Sequence, residues 1–196
     1  MEKETEIEEL KKEFNEFCKK SPLYKEGTFP VFGEGSLNSE IMMVGEAPGY
    51  NESMTGKPFC GASGKILDKL LESAGLKRED IFITNIVKIR PPDNRNPTKE
   101  EIKQFSPFLD KQISIINPKI ICTLGNFSTG YIMERFNLKD KIQGISKIHG
   151  HIFNVSTLLG ILKIVPLYHP AVAVYNANMK DTLKEDFLIL KKLVGD

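Results

Sequence analysis

Four short apolar runs, each separated from the next by a stretch with helical periodicity, constrain this chain more than any other feature. Ile41–Val44, Ile81–Asn85, Ile120–Leu124 and Ile161–Leu167 read as strands. Between the first two, Ile66, Leu67, Leu70 and Leu71 share one helical face, with Gly75 as a natural stop. Thr98 and Glu101 form a capping box that opens a helix to about Ile116, and residues 127–136 and 182–193 also read as helices. Ahead of the first strand, residues from about 5 to 20 carry Ile7, Leu10, Phe14 and Phe17 at helical spacing. The Pro-rich link Arg90–Pro97 is not helical, and residues 139–160 read as irregular. Such alternation predicts an α/β fold, a three-layer α/β/α sandwich around a mainly parallel four-stranded sheet covered on both faces. At 196 residues and 40% hydrophobic, the chain suits one substantial core, so residues 1–196 are expected to form a single domain.

In open α/β sheets, ligands bind beyond the carboxyl ends of the strands. The first run ends in Gly45-Glu46-Ala47-Pro48-Gly49, with Gly56-Lys57-Pro58-Phe59-Cys60-Gly61 close behind it. The second run ends in Thr84-Asn85, and the last in Tyr168-His169-Pro170-Ala171. A carboxylate, a ring, an amide and an imidazole at neighbouring strand ends describe a pocket for a flat, hydrogen-bonding ligand such as a nucleobase. Nucleotide-cofactor motifs fail: Gly64-Lys65 is followed by Ile66, and Gly33-Glu34-Gly35 lacks a third glycine. His149 and His151 have no third ligand candidate nearby, so they read as a surface turn and no metal site is expected. The net charge of +1 means that any nucleic-acid contact must rest on local clusters of Lys and Arg. Three widely spaced cysteines suit a reducing compartment. With no apolar run near the roughly 20 residues that cross a bilayer, a soluble cytoplasmic protein is expected.

The motifs stand in one register from about Cys18 to the C-terminal helix: Val31-Phe32-Gly33-Glu34-Gly35, the Gly45–Gly49 turn, Pro58-Phe59, Thr84-Asn85-Ile86-Val87-Lys88, Arg90-Pro91-Pro92, Asn94-Arg95-Asn96-Pro97 and His169-Pro170-Ala171. In this order they resemble the uracil-DNA glycosylase superfamily, most closely its family 4. The resemblance implies a monofunctional, cofactor-free and monomeric DNA repair enzyme. It would flip uracil out of DNA, hydrolyse the N-glycosidic bond and leave an abasic site for downstream enzymes, working in the cytoplasm at the nucleoid. A shifted preference for hypoxanthine or xanthine is an alternative, and so is a non-catalytic module that binds damaged or single-stranded DNA.

Cleavage of such a bond builds positive charge on the sugar and negative charge on the departing base. His169 would donate to a pyrimidine carbonyl as that charge grows. Asn85 would read the imide edge of uracil and reject cytosine. Phe59 would stack on the base, and backbone N–H groups around Ala47 would complete the cradle. Family 1 enzymes carry a catalytic aspartate where this chain has Ala47, an absence shared with family 4. Glu46 is therefore assigned to water orientation or cation stabilisation, and Glu52 to the face of the base where thymine carries its methyl. Lys88, Arg90 and Arg95 are expected to contact phosphates. Val174 and Tyr175 stand where relatives place leucines and an arginine that wedge into the duplex. Family 4 enzymes also bind a 4Fe–4S cluster through four cysteines, and the register places those ligands at Cys18, Ser21, Ile89 and Phe105. Only one thiol remains, so a cluster-free protein with apolar packing at the metal site is expected.

Overall fold

The computed structural model describes residues 2–194. Helix α1 (Glu2–Lys19) leads through a long loop into β1 (Ile41–Gly45), followed by α2 (Tyr50–Thr55), α3 (Ala62–Ser73) and β2 (Phe82–Asn85). Then come α4 (Lys99–Ile116), β3 (Ile120–Leu124), α5 (Asn126–Arg135), α6 (Ile145–Ile148), β4 (Phe153–Thr157) and β5 (Gly160–Leu167). Helices α7 (Val172–Tyr175) and α8 (Lys180–Val194) close the fold.

The sheet has five strands in the order β2-β1-β3-β5-β4, and only β4 runs antiparallel to its neighbour. The expected count of four is corrected by β4, which lies in the stretch read as irregular. Phe153 and Val155 are half-buried while Asn154, Ser156 and Thr157 are exposed, so this edge strand alternates and has no continuous apolar run. The other four strands lie where the apolar runs stand; β1, β2 and β3 are buried along their whole length and β5 from Ile164 onward.

Alternate residues of each strand point to opposite faces, and two cores result. Ile41, Met43, Ile83, Cys122 and Val165 pack with Leu67, Leu70 and Leu71 of α3 and with Leu183, Phe187 and Leu190 of α8. Met42, Val44, Phe82, Ile121 and Ile164 pack with Leu109 and Ile116 of α4 and with Ile132 and Met133 of α5. Helix α4 opens on the expected capping box and tolerates Pro107 in its interior. The Lys103 carbonyl, which loses its partner to proline, accepts instead from the Ser106 hydroxyl at 3.3 Å.

Helix α1 adds a third cluster on the outside of α4, where Ile7, Leu10, Phe14 and Cys18 meet Phe32, Ile89, Phe105 and Phe108. Phe17 stands edge-on to Phe105 at 5.3 Å and Phe14 edge-on to Phe108 at 5.4 Å. Three of the four positions that correspond to cluster ligands therefore meet in one apolar core. Ile89 and Phe105 have no donor atom, and burial pushes the Cys18 thiol up to about 12, so these residues do not fit an iron–sulfur cluster. Among the described residues no three His, Cys, Asp or Glu side chains are grouped to hold a metal ion. No described helix is long and apolar enough to cross a membrane.

Candidate active site

The strand order reverses direction at β1, and the pocket lies where such a reversal opens a crevice. Glu46 and Ala47 follow β1, Asn85 ends β2 and His169 follows β5. Together with Pro48, Gly49, Glu52, Phe59 and Ser63, they line a cavity of about 320 Å3. All six residues expected to act on or bind the base are in its wall. Pro91, Asn94, Arg95, Ala171 and Tyr175 form the remaining lining.

Close packing behind the pocket fixes the Asn85 amide and the Phe59 ring. Gly45 and Asn85 are register partners in the sheet. A Cβ at Gly45 would lie 2.3 Å from Asn85 Oδ1 and 2.8 Å from Phe59 Cζ, so only glycine fits. Phe59 has a positive φ of 46°, and its carbonyl sits against Gly64, where a Cβ would approach to 1.9 Å. The buried Asn85 Oδ1 has no hydrogen-bond partner. A buried acceptor left unpaired costs about 1–3 kcal/mol, so this atom is an offer to a ligand N–H.

His169 is held as a donor. The Ala171 backbone N–H donates to its Nδ1 at 3.1 Å, which leaves the proton of the neutral ring on Nε2. Burial pulls its pKa down to about 4, partly offset by the charge of Glu52. Its ring lies 5.5 Å from that of Phe59.

The two carboxylates differ. Glu52 Oε1 accepts from the backbone N–H groups of Cys60 and Gly61, each at 2.9 Å, so it braces the Phe59 loop. Glu46 is half-buried, and that burial raises its pKa above the ordinary carboxylate value.

The expected phosphate contacts divide. Lys88 is fully buried, so the expectation that it touches DNA is corrected. Its Nζ donates to Thr84 Oγ1 at 2.7 Å, the Asn85 carbonyl at 3.0 Å and Gln112 Oε1 at 2.7 Å. Arg90 Nε donates to Asn94 Oδ1 at 2.7 Å, and its guanidinium stands 5.3 Å above the Tyr50 ring. Arg95 is exposed at the pocket rim and forms a two-pronged pair with Glu101, at 2.9 and 2.6 Å. Val174 and Tyr175 project from α7 into solvent, Tyr175 with 89% of its surface exposed. His149, read as a surface turn, pairs through Nδ1 with the buried Asp186 at 2.9 Å.

Sequence reasoning missed Ser63 and Asn94 in this cavity and Tyr50 beside it. Asn94 belongs to a quoted motif and Ser63 directly follows the Phe59 loop, so position in the chain could have drawn them in. Tyr50 directly follows the Gly45–Gly49 turn and carries the same signal.

A strand-end pocket that combines a neutral histidine donor, an unpaired amide acceptor and an aromatic floor defines a protein that binds and acts on a planar heterocycle. Residues 32–190 match the uracil DNA glycosylase superfamily, and the chain belongs to it. It is similar to the type-4 uracil-DNA glycosylase of Saccharolobus solfataricus, 46% identical over 91% of this chain and 82% of the relative. That of Sulfurisphaera tokodaii is 45% identical over 95% and 84%, and that of Archaeoglobus fulgidus 39% identical over 91% and 88%.

Proposed function

We propose that this protein is a uracil-DNA glycosylase that hydrolyses the bond between uracil and deoxyribose in DNA and leaves an abasic site. The observation that carries the reading is the Ala171 N–H bond to His169 Nδ1, which aims a neutral Nε2–H donor into the pocket. Support also comes from the type-4 relatives, which align over most of their own length.

Extruded uracil would lie against Phe59 with its imide N3–H donating to Asn85 Oδ1. Cytosine presents a lone pair at N3, which would set acceptor against acceptor and leave Asn85 unpaired. As the glycosidic bond breaks, its electron pair passes to the base, and the charge gathers on carbonyl oxygens. His169 Nε2–H stabilises that charge without giving up its proton, since the ring is already neutral. The sugar becomes an oxocarbenium ion. Glu46, ionised, faces that positive charge and orients the water that adds hydroxide at C1′, while the remaining proton goes to the departing base. Glu52 is spent on holding the Phe59 loop and bounds the pocket wall.

The base pocket draws a donor, an acceptor, a ring and a carboxylate from this chain, so the proposed reaction calls for no more than a monomer. Its substrate would place it with DNA in the cytoplasm or nucleoid, ahead of enzymes that process abasic sites. The test is base release from end-labelled oligonucleotides that contain uracil, hypoxanthine, xanthine or thymine. Strand breaks at uracil after alkali, lost in His169→Ala, are expected. Breaks only at a purine lesion would shift the base preference, and binding without breaks would make the protein a recognition module.

A further inference from the structure

Beside the base pocket lies a second cavity of about 160 Å3, lined by Tyr50, Asn51, Gly61, Ala62 and Val174 together with four residues that the two cavities share: Glu52, Ser63, Ala171 and Tyr175. Two large aromatic side chains flank it and are spent on no core: Tyr50 is 59% exposed and Tyr175 89%. Tyr50 is also positioned. The Arg90 guanidinium stands over its ring, and Arg90 Nε donates to Asn94 Oδ1. Exposed rings beside a concavity, backed by a cation, are what a stacking platform for single-stranded nucleic acid requires. We propose that this second cavity is a subsite for the nucleobase adjacent to the flipped one, stacked between Tyr50 and Tyr175. The inference rests on the glycosylase reading, because it takes the first cavity as the seat of the damaged base.

The shared wall supports the connection. The linkage between two adjacent nucleotides would cross it near Ala62 and Ser63. These residues form the first turn of the twelve-residue α3; the Glu52 carboxylate already accepts from the N–H of its N-cap Gly61, so a linkage crossing here would run beside that carboxylate. In a duplex the neighbouring base stays in the stack, so the subsite would be filled only by a strand free to splay.

Binding and turnover separate the two readings. Affinity is measured by fluorescence anisotropy for single-stranded oligonucleotides that carry one non-cleavable 2′-fluoro-deoxyuridine. Its 5′ or 3′ neighbour is a normal nucleotide or a tetrahydrofuran abasic residue. Loss of the base on one side should weaken binding about five- to 150-fold. Tyr50→Ala and Tyr175→Ala should each bind the intact strand more weakly and shrink that difference, whereas Tyr24→Ala, an exposed tyrosine outside both cavities, should keep it. Affinity indifferent to both neighbours, or a difference that survives in the Tyr50→Ala/Tyr175→Ala double variant, would overturn the subsite. Uracil release from the cleavable, base-complete strand is scored separately. Release without neighbour dependence sinks the subsite alone, and neighbour-dependent binding without release sinks the glycosylase reading alone.

Discussion

Replacement of Phe105 by alanine tests whether apolar packing holds the region where the family resemblance would place an iron–sulfur cluster. The ring is fully buried, stands edge-on to Phe17 and belongs to the cluster through which α1 docks on α4. Phe→Ala at such a site costs about 3–5 kcal/mol, because the lost transfer free energy adds to that of the cavity left behind. For a domain of this size each kcal/mol lowers Tm by about 2–4 °C, so a fall of roughly 6–20 °C is expected. Lys111–Glu13 is an exposed ion pair and Lys3 donates to the Ile116 and Leu37 carbonyls, and polar ties of this kind are worth little beside a buried ring. Thermal unfolding by circular dichroism gives the total, and hydrogen exchange along α1 shows where it is felt. A fall below about 2 °C would refute the packing argument. So would stoichiometric iron in the wild-type protein purified without oxygen, since a metal would then be supplying the stability credited to the ring.

Three further outcomes concern the chemistry. Because burial raises Glu46 and the ionised form is the active one, kcat should fall with acid at a pH above the ordinary carboxylate range, and Glu46→Gln should be slow and lack that limb. An unchanged profile in the variant would remove Glu46 from the reaction. His169, neutral above about pH 4, should add no limb of its own in that range, and His169→Ala should lower kcat about 100- to 1000-fold; a loss confined to KM would contradict the leaving-group role. Gly45→Ala should cost about 1–3 kcal/mol and much of the activity, as its Cβ collides with the Asn85 amide and the Phe59 ring, and wild-type Tm with wild-type kcat/KM would show that the crowding relaxes freely.

Strands buried on both faces announce themselves as unbroken apolar runs, and four of the five were legible for that reason. The edge strand Phe153–Thr157 was not, because a half-exposed edge needs only alternation, and five alternating residues in a Gly-dotted stretch resemble a loop. The base pocket was legible because strand ends and Gly/Pro turns fix where its side chains lie. Lys88 was misread for a related reason. Its neighbours Arg90 and Arg95 do reach the surface, and nothing in a local string of basic residues marks which one turns inward. That depends on acceptors from distant segments, Gln112 on α4 among them.

The inward turn of Lys88 also explains how the pocket can persist without a metal. Its ammonium has three protons and meets three acceptors, although burial draws its pKa down to about 7. One acceptor is the main-chain carbonyl of Asn85, whose side chain faces the base pocket. Another, Gln112 of α4, donates in turn from Nε2 to the Phe32 carbonyl at 2.8 Å. Asn85 is thus tied through Lys88 to the same helix and loop that supply Phe105 and Phe32 to the α1 cluster. What the base-reading amide requires of that region is that α4 and the Phe32 loop stay in place. The packed rings of Phe14, Phe17, Phe32, Phe105 and Phe108 meet that requirement. Ile89 and Phe105, neither of which has a donor atom, contribute to the base pocket through this packing.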